Sequence, residues 1–238
     1  MNLKLDDKFA IVCASTKGLG FAIAKSLLEE GAEVVLCSSK DVNIERAKKD
    51  LFEYGFKKFH IVKVNLSEDD GIKNLFKFAT SKSKKIDILV NNCGGPDPGD
   101  FANVTEDQLI DSFNKNLKNV FMLTKLILPL MESNNWGRIV NITSTSAKQP
   151  IDSLLLSNIM RAAVTGLSKS ISNQYASSNI MVNNVLPGRI LTDRILEIAE
   201  KKSKESGINQ KDILNALGQD IPIKMISTYI KINDKTTC

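Results

Sequence analysis

Two closely spaced glycines, Gly18 and Gly20, follow the first apolar run of the chain and could hold a phosphate group. Glycine lacks a Cβ, so the backbone at these positions can approach a ligand closely. The apolar stripe that follows predicts a helix, whose first N–H groups and partial positive charge favour a diphosphate. A strand, this turn, a helix and a second strand are typical of dinucleotide binding by an open parallel sheet. Glycines at such a turn can equally serve packing, so the turn alone leaves the function open.

Polar or glycine residues follow every predicted strand, and not only the first. Ligands bind at the carboxyl ends of the strands in open parallel sheets, so these segments predict one binding rim. The six segments are Ser15 to Gly20, Ser38 to Lys40, Asn65, Asn91 to Gly95, Thr143 with Ser144, and Pro187 to Thr192. Six such segments favour a ligand site over a purely structural role.

The elements that must position this rim alternate along the chain. The predicted strands are 9–13, 33–37, 59–64, 86–90, 139–142 and 180–185, and helices are predicted at 42–54, 68–80, 105–134 and 157–177. This alternation predicts an α/β fold, a single-domain Rossmann-type doubly wound parallel sheet with helices on both faces. A seventh strand at 229–232 is only weakly indicated. We expect one domain over 1–222, with a substrate lid at about 189–218, and a short tail over 223–238.

Composition limits the class of protein. With 238 residues, 42% of them hydrophobic, the chain can bury one large core. No apolar run of about 18 residues and no secretory signal occur, so we expect a cytoplasmic protein without a membrane partner. The net charge of +5 is scattered, which disfavours nucleic acid. The spacing of the four cysteines matches no metal or disulfide pattern, and the single histidine, His60, disfavours a metal site or hydrolytic triad.

With these motifs in order, the chain resembles the short-chain dehydrogenases/reductases from Lys8 to about Pro222. The resemblance is carried by ASTKGLG at the first turn, NNCGG after the fourth strand, Asn116, GRIVNITS ending at Ser144, and LPGRILT. The family usually has TGxxxGxG at the turn, whereas Cys13 and Ala14 take the first two places here. It usually has NNAG, whereas Cys93 replaces the alanine.

The resemblance implies roles for the matching positions. The glycine turn would approach the diphosphate, Asn65 and Leu66 the adenine, Asn91 the adenosine ribose, and 187–192 the nicotinamide. The implied coenzyme-binding residues are Ser15, Lys17, Gly18, Leu19, Gly20, Ser38, Ser39, Lys40, Asn65, Leu66, Asn91, Cys93, Gly94, Arg161, Pro187, Gly188, Ile190 and Thr192. Ser144 matches the serine that binds the substrate oxygen, and Asn116 the residue that supports a water relay.

The end of the second strand indicates which nicotinamide coenzyme is bound. A carboxylate there would bind the ribose 2′-hydroxyl and repel a 2′-phosphate. The segment instead reads Cys37, Ser38, Ser39, Lys40, and Lys17 precedes Gly18. Hydroxyls and lysines suit a phosphate, so we expect NADP(H) in preference to NAD(H). Both lysines could also be ordinary solvated loop residues.

The family's catalytic Tyr-x-x-x-Lys is replaced. The position thirteen residues after Ser144 is Ser157, and Arg161 lies four residues further on the same helix face. A serine hydroxyl is a much weaker acid than a phenol, and a guanidinium keeps its charge and cannot carry a proton as lysine can. The catalytic set to be tested is therefore Ser144, Ser157, Arg161 and Asn116.

Three functions remain open after this replacement. In the first, the protein is an oxidoreductase that interconverts a carbonyl and an alcohol, and a 3-oxoacyl compound is one candidate substrate. Ser144 and Ser157 would then hold the carbonyl, Arg161 would polarise the oxyanion and water would supply the proton. Alternatively, it binds NADP(H) without redox chemistry, as a nucleotide-responsive interaction module, or it catalyses a dehydration or isomerisation. A positioned proton donor contributes about 10²–10⁴-fold, so its loss slows hydride transfer without abolishing it, which favours the oxidoreductase.

The resemblance also bears on assembly. The helices at 105–134 and 157–177 correspond to those that pair subunits in the family, so we expect a homodimer, with a homotetramer as the alternative.

Overall fold

A single parallel sheet of six strands forms the centre of the molecule, in the order β3-β2-β1-β4-β5-β6. The computed structural model describes residues 3–219, 221, 224 and 226–228. The strands of this sheet are β1 (Phe9–Val12), β2 (Glu33–Ser38), β3 (Phe59–Lys63), β4 (Ile88–Asn91), β5 (Gly137–Ile142) and β6 (Ile180–Val185). All five neighbouring pairs run parallel. The predicted doubly wound sheet is confirmed.

Helices cover both faces of the sheet. They are α1 (Gly18–Glu29), α2 (Asp41–Glu53), α3 (Asp69–Lys82), α4 (Glu106–Phe113), α5 (Asn119–Ser133) and α6 (Leu155–Tyr175). Because side chains alternate across each strand, the inner strands supply two cores, one on each face of the sheet. Ile11 and Leu89 pack in the core that includes Leu123 of α5. Val12 and Leu36 pack in the opposite core.

The strand order reverses beside β1, which lies between β2 and β4. Such a reversal leaves a crevice at the carboxyl ends of the two strands, where ligands bind in open α/β sheets. The glycine turn follows β1, and the NNCGG segment follows β4. The fold therefore brings both motifs to the same crevice.

The long helix predicted over 105–134 is interrupted by a π-helical segment, Asn114–Lys118, between α4 and α5. Its predicted start is confirmed, since Thr105 and Gln108 form the capping box. A π-helical segment holds one residue more per turn than an α-helix and is frequent at functional sites. Asn116 lies in its middle and is almost fully buried.

The region after β6 begins with a short strand. Ile190–Leu191 forms β7, which pairs in parallel with β8, Ser227–Thr228. The helix α7 starts at Asp193 and runs to Ser206, and α8 follows over Gln210–Gln219. The weakly indicated strand at 229–232 lies outside the described residues. Within the described part of the chain, no helix is long and apolar enough to span a bilayer.

Candidate active site

The glycine turn connects β1 to α1 in close contact with the β4 loop. A Cβ on Gly20 would lie 2.4 Å from the Ala14 carbonyl oxygen and 2.7 Å from Asn92 Nδ2. Asn92 Nδ2 donates to the carbonyl oxygens of Cys13 and Ala14, at 3.2 and 3.1 Å. Gly20 is thus required for packing, and Asn92 holds the turn. The sequence analysis did not assign a role to Asn92, although it lies within the NNCGG motif.

Ala14, at the position where the resemblance implies a glycine, has a left-handed backbone conformation. Its φ of 45° lies in the left-handed region, as does the φ of 57° at Gly18. A left-handed conformation costs an L-residue about 1–2 kcal/mol, because Cβ crowds the following carbonyl. The conformation of Ala14 therefore lowers the free energy of unfolding.

A groove of about 390 Å³ runs across this crevice, and a neighbouring pocket of about 240 Å³ extends it beyond the end of β3. Both are bordered by the β4 loop. Eleven predicted coenzyme residues line the two: Lys17, Gly18, Leu19, Ser38, Ser39, Lys40, Asn65, Leu66, Cys93, Gly94 and Thr192. The predicted segments after β1, β2, β3 and β4 are therefore brought together here, with Thr192 from the segment after β6.

Other predicted coenzyme residues do not line this groove with their side chains. Ser15 is fully buried, and its Oγ donates to the Val12 carbonyl oxygen at 2.6 Å. Asn91 Nδ2 donates to Asn141 Oδ1 at 2.7 Å and to Thr124 Oγ1 at 3.2 Å, within the core. These two side chains position the strand ends. Gly20, Arg161, Pro187, Gly188 and Ile190 are also not among the residues lining the two cavities.

The serines near the predicted catalytic position form a pair that the sequence did not reveal. Ser157 Oγ lies 3.1 Å from Ser146 Oγ, and both side chains are buried. Ser144 Oγ instead accepts from the backbone N–H of Ser146, at 3.1 Å, and caps a short 3₁₀ turn over Thr145–Ala147. That turn brings Ser146 to Ser157. The thirteen-residue spacing singles out Ser144, and nothing in it indicates that Ser146 is the serine that contacts Ser157.

Arg161 lies beneath the loop that follows β4. Its Nη1 donates to the Ile142 carbonyl oxygen and to Cys93 Sγ, both at 3.2 Å, and its Nη2 donates to the Cys93 carbonyl oxygen at 3.3 Å. The side chain is only 5% exposed, and Nε has no hydrogen-bond partner. Within the described residues no carboxylate pairs with this guanidinium, so Arg161 places an uncompensated positive charge next to the groove.

Asn116 supports the same loop from the π-helical segment. Its Nδ2 donates to the Gly94 carbonyl oxygen at 2.6 Å and to Cys93 Sγ at 3.2 Å. Asn116, Arg161 and Cys93 therefore form one hydrogen-bonded cluster, which links three positions that the sequence analysis treated separately.

Two further thiols lie below the groove. Cys13 and Cys37 are both buried, on the neighbouring strands β1 and β2. Their mutual hydrogen bond, with burial, raises the pKa of the Cys13 thiol. Cys13 therefore stays protonated, as expected for a packed core residue.

Three ion pairs tie the first turns of α7 to the edges of the groove. Lys17 Nζ lies 3.1 Å from Glu197 Oε1, Arg46 lies 3.5 Å from Asp193 Oδ2, and Arg194 lies 3.7 Å from Asp97 Oδ1. All six side chains are between 40% and 86% exposed, so each pair stabilises the fold only weakly. This arrangement holds the start of α7 at the groove, whose lining includes Asp193 and Arg194.

Comparison with known proteins agrees with this geometry. The family described as "short chain dehydrogenase" matches residues 8–203. The dehydrogenase/reductase SDR family member 4 of Oryctolagus cuniculus is 36% identical over 216 residues, which cover 90% of this chain and 83% of that protein.

Two solved structures share the fold. L-sorbose reductase from Gluconobacter frateurii, complexed with NADPH and L-sorbose, superposes with a TM-score of 0.92 at 25% identity, covering 98% of this chain and 89% of that one. A single-residue variant of the actinorhodin polyketide ketoreductase, with NADPH, gives a TM-score of 0.89 at 27% identity, covering 96% and 88%. Taken with the glycine turn and the crevice beside β1, these matches show that the chain belongs to the short-chain dehydrogenase family of oxidoreductases.

Proposed function

We propose that the protein interconverts a carbonyl and an alcohol with NADP(H) as coenzyme, and that its substrate is a small ketone or a 3-oxoacyl compound. The observation that carries this proposal is the groove beside β1, lined by eleven of the residues expected to bind a dinucleotide. The NADPH complexes of both structural relatives support the same coenzyme.

The residues present fit a dinucleotide. The missing Cβ of Gly20 lets α1 begin directly against the β1 turn, so its first N–H groups face the groove. The guanidinium of Arg161 is buried beneath the Cys93 loop, so it adds a positive charge below a site for an anionic dinucleotide. When bound, NADPH supplies the hydride for carbonyl reduction.

The basic end of the groove supports NADP(H) in preference to NAD(H). Lys17, Ser38, Ser39 and Lys40 lie together on its wall, and no carboxylate ends β2. The carboxylate of Asp193, which also lines the groove, is paired with Arg46. Glu197, the partner of Lys17, belongs to α7. A bound phosphate would compete with Glu197 for this lysine, so coenzyme binding and the position of α7 would be coupled.

Four side chains would act on the substrate or around it. The hydroxyl of Ser157, oriented by Ser146, would donate to the carbonyl oxygen, and Ser144 would add a second hydroxyl from the β5 end. Arg161 would stabilise negative charge as the oxyanion forms. Asn116 would hold the β4 loop and a water chain that returns the proton. These roles replace the acid–base work of a tyrosine and a lysine with binding and charge stabilisation.

The test is coenzyme oxidation with a panel of ketones, aldehydes, quinones and 3-oxoacyl thioesters, each with NADPH and with NADH. We expect turnover with at least one carbonyl compound and a higher kcat/KM with NADPH. Turnover with NADH alone would contradict the coenzyme assignment, and no calorimetric heat with either coenzyme would contradict the whole proposal.

One observation favours a second candidate, a nucleotide-responsive interaction protein. The guanidinium of Arg161 is already engaged by Cys93 and Ile142, and no phenol occupies the predicted catalytic position. Tight NADPH binding without turnover on any carbonyl compound would support this candidate.

Several apolar side chains are exposed on α4, α5 and α6. Leu109, Ile110, Phe113, Phe121 and Ile159 are each at least 40% exposed, and we infer a homodimer through these helices. Unpaired apolar side chains at this density on adjacent helices are typical of an interface. A homotetramer is the alternative assembly, and we propose a cytoplasmic location.

A further inference from the structure

Cys13 and Cys37 are neighbours across the first two strands of the sheet. The register of β1 and β2 places Val12 opposite Leu36. One residue further along each strand, Cys13 therefore lies beside Cys37. Both side chains belong to the same hydrophobic core, so they lie on one face of the sheet. The spacing of the two cysteines in the sequence gives no sign of this contact, which exists because β2 pairs with β1.

The two thiols are free and in direct contact. Their mutual hydrogen bond lowers the pKa of Cys37 and, together with burial, raises the pKa of Cys13. Cys37 is therefore the thiol of the pair that gives up its proton more readily. Adjacent strands lie about 4.8 Å apart, within the Cα separations of about 4.4–6.8 Å that a disulfide spans. The pairing of β1 with β2 thus already holds the two residues at a distance that a disulfide can bridge.

The two cysteines differ in their access to the surface. Cys37 borders the pocket of about 240 Å³ that extends the groove, whereas Cys13 is not among the residues that line the groove or this extension. Cys37 itself is only 1% exposed, so a bulky disulfide cannot reach its sulfur. An oxidant for this pair must be small enough to enter the pocket, and it meets Cys37 first.

We propose that Cys13 and Cys37 are an oxidation site, at which hydrogen peroxide converts the two thiols into a disulfide between the ends of β1 and β2. The Cys37 sulfur attacks one peroxide oxygen, the O–O bond breaks, and water leaves with the thiol proton, so that Cys37 becomes a sulfenic acid. The Cys13 sulfur then attacks the Cys37 sulfur, the S–S bond forms as the S–O bond breaks, and a second water leaves. The two thiols lose two electrons in total, and one peroxide is reduced to two waters.

The disulfide would deform the wall of the groove. The Cβ atoms of neighbouring strands follow the strand spacing of about 4.8 Å, whereas disulfide-bonded Cβ atoms are about 3.5–4.5 Å apart. The bond therefore draws the ends of β1 and β2 together. The residues that follow the two cysteines, Ala14 and Ser38, both line the groove, and Asn92 is hydrogen-bonded to the Cys13 carbonyl oxygen. The inference rests on the proposed function only in naming this groove as the coenzyme site.

Peptide mapping tests the site without any coenzyme. Trypsin places Cys13, Cys37 and Cys93 in three separate peptides, 9–17, 26–40 and 86–115. Peroxide treatment of the native protein should join 9–17 to 26–40, with a mass lower by two hydrogens than their sum, and dithiothreitol should separate them. Cys93 is the internal control, because it is less buried and lines the groove. Failure to join the first two peptides, whether or not Cys93 is oxidised, would overturn the proposal.

Single variants test the order of the two steps. Cys13→Ala removes the second thiol, so the sulfenic acid should persist on Cys37 and form a dimedone adduct when the oxidised protein is unfolded in urea. Cys37→Ala leaves the thiol that borders no pocket, and it should give little adduct on Cys13. More adduct on Cys13 than on Cys37 would contradict this order. Should either variant fail to fold, the peptide map of the unmutated protein still decides whether the disulfide forms.

Calorimetry tests the consequence for the groove. The crosslinked protein should lose most of its heat of NADPH binding, and dithiothreitol should restore it. Cys37→Ala, which cannot form the disulfide, should give the same heat before and after peroxide. Full crosslinking with undiminished NADPH binding would overturn the effect on the groove. If the reduced protein binds no coenzyme, the proposed function fails while the peptide map still decides the oxidation site, so the two proposals fail separately.

Discussion

Lys17 Nζ lies 3.1 Å from Glu197 Oε1, so the residue before Gly18 is joined to α7, whose start borders the groove. Lys17 is separated from Glu197 by most of the chain. The ion pair forms because β1 and β6 end at the same rim, and the segments after them leave from it. The pair connects coenzyme choice with the position of α7.

This pair gives the first prediction. Lys17→Ala should raise the Kd for NADPH about tenfold and change the Kd for NADH less than about twofold, because a hydrogen bond between charged groups contributes about 1.5–3 kcal/mol. Glu197→Gln should lower the Kd for NADPH, since it frees Lys17. Fluorescence titration measures both. Lys48→Ala, on the exposed face of α2, is the charge-matched control, and an equal effect of Lys17→Ala on both coenzymes would contradict a phosphate contact.

The second prediction concerns Arg161. Arg161→Met should lower kcat about 100-fold, the cost of removing one donor that stabilises an oxyanion. Arg161→Lys should recover part of this loss. Arg138→Ala is the control, since Arg138 lies at the start of β5 and stacks on Trp136, at the opposite end of the sheet. Similar losses in Arg161→Met and Arg138→Ala would place Arg161 outside the chemistry.

The third prediction separates the serines. If Ser146 acts through the hydroxyl of Ser157, Ser146→Ala and Ser157→Ala should be non-additive in kcat/KM, with a coupling of about 0.5–1 kcal/mol. Ser144→Ala with Ser157→Ala should show a smaller coupling, because Ser144 caps the 3₁₀ turn instead. Two double-mutant cycles measure the two coupling energies. A larger coupling for Ser144 with Ser157 than for Ser146 with Ser157 would contradict the role given to Ser146.

The fourth prediction concerns the backbone of the turn. Ala14→Gly should raise the free energy of unfolding by about 0.5–1 kcal/mol. The substitution removes the steric cost of a left-handed alanine, and the greater conformational entropy of glycine in the unfolded chain offsets part of this stabilisation. Urea denaturation measures the change. Ala162→Gly, on the exposed face of α6, should instead destabilise by about 1 kcal/mol. A loss of stability in Ala14→Gly would show that this backbone conformation carries no strain.

The fifth prediction concerns the apolar side chains left exposed on α4 and α5. Sedimentation should show a dimer, and Phe113→Glu should convert it to a monomer, because the charge would be buried in the interface. Val42→Glu, at 73% exposure on α2, changes the charge equally and should leave the dimer intact. A monomer in the unmutated protein would contradict the assembly.

Element types and some element ends were predictable, whereas interruptions were not. The run at 180–185 predicts β6 with its observed bounds, because it is rich in β-branched residues and Pro187 and Gly188 follow it. The π-helical segment at Asn114–Lys118 had no sequence signal. Asn116, within this segment, donates to Cys93 Sγ and to the Gly94 carbonyl oxygen. These contacts do not exist until the loop after β4 and the long helix are packed together.

The sequence by itself determined the parallel sheet, the glycine turn and the set of polar segments at the strand ends, because these depend on periodicity and on local backbone chemistry. Only the tertiary structure decided which side chains meet: Ser146 with Ser157, Lys17 with Glu197, and Cys93 with Arg161 and Asn116. Each of these contacts joins separate elements at the rim. Their distances follow from sheet order, helix register and the 3₁₀ and π-helical turns, which are set by packing over the whole domain and not by the residues adjacent in the chain.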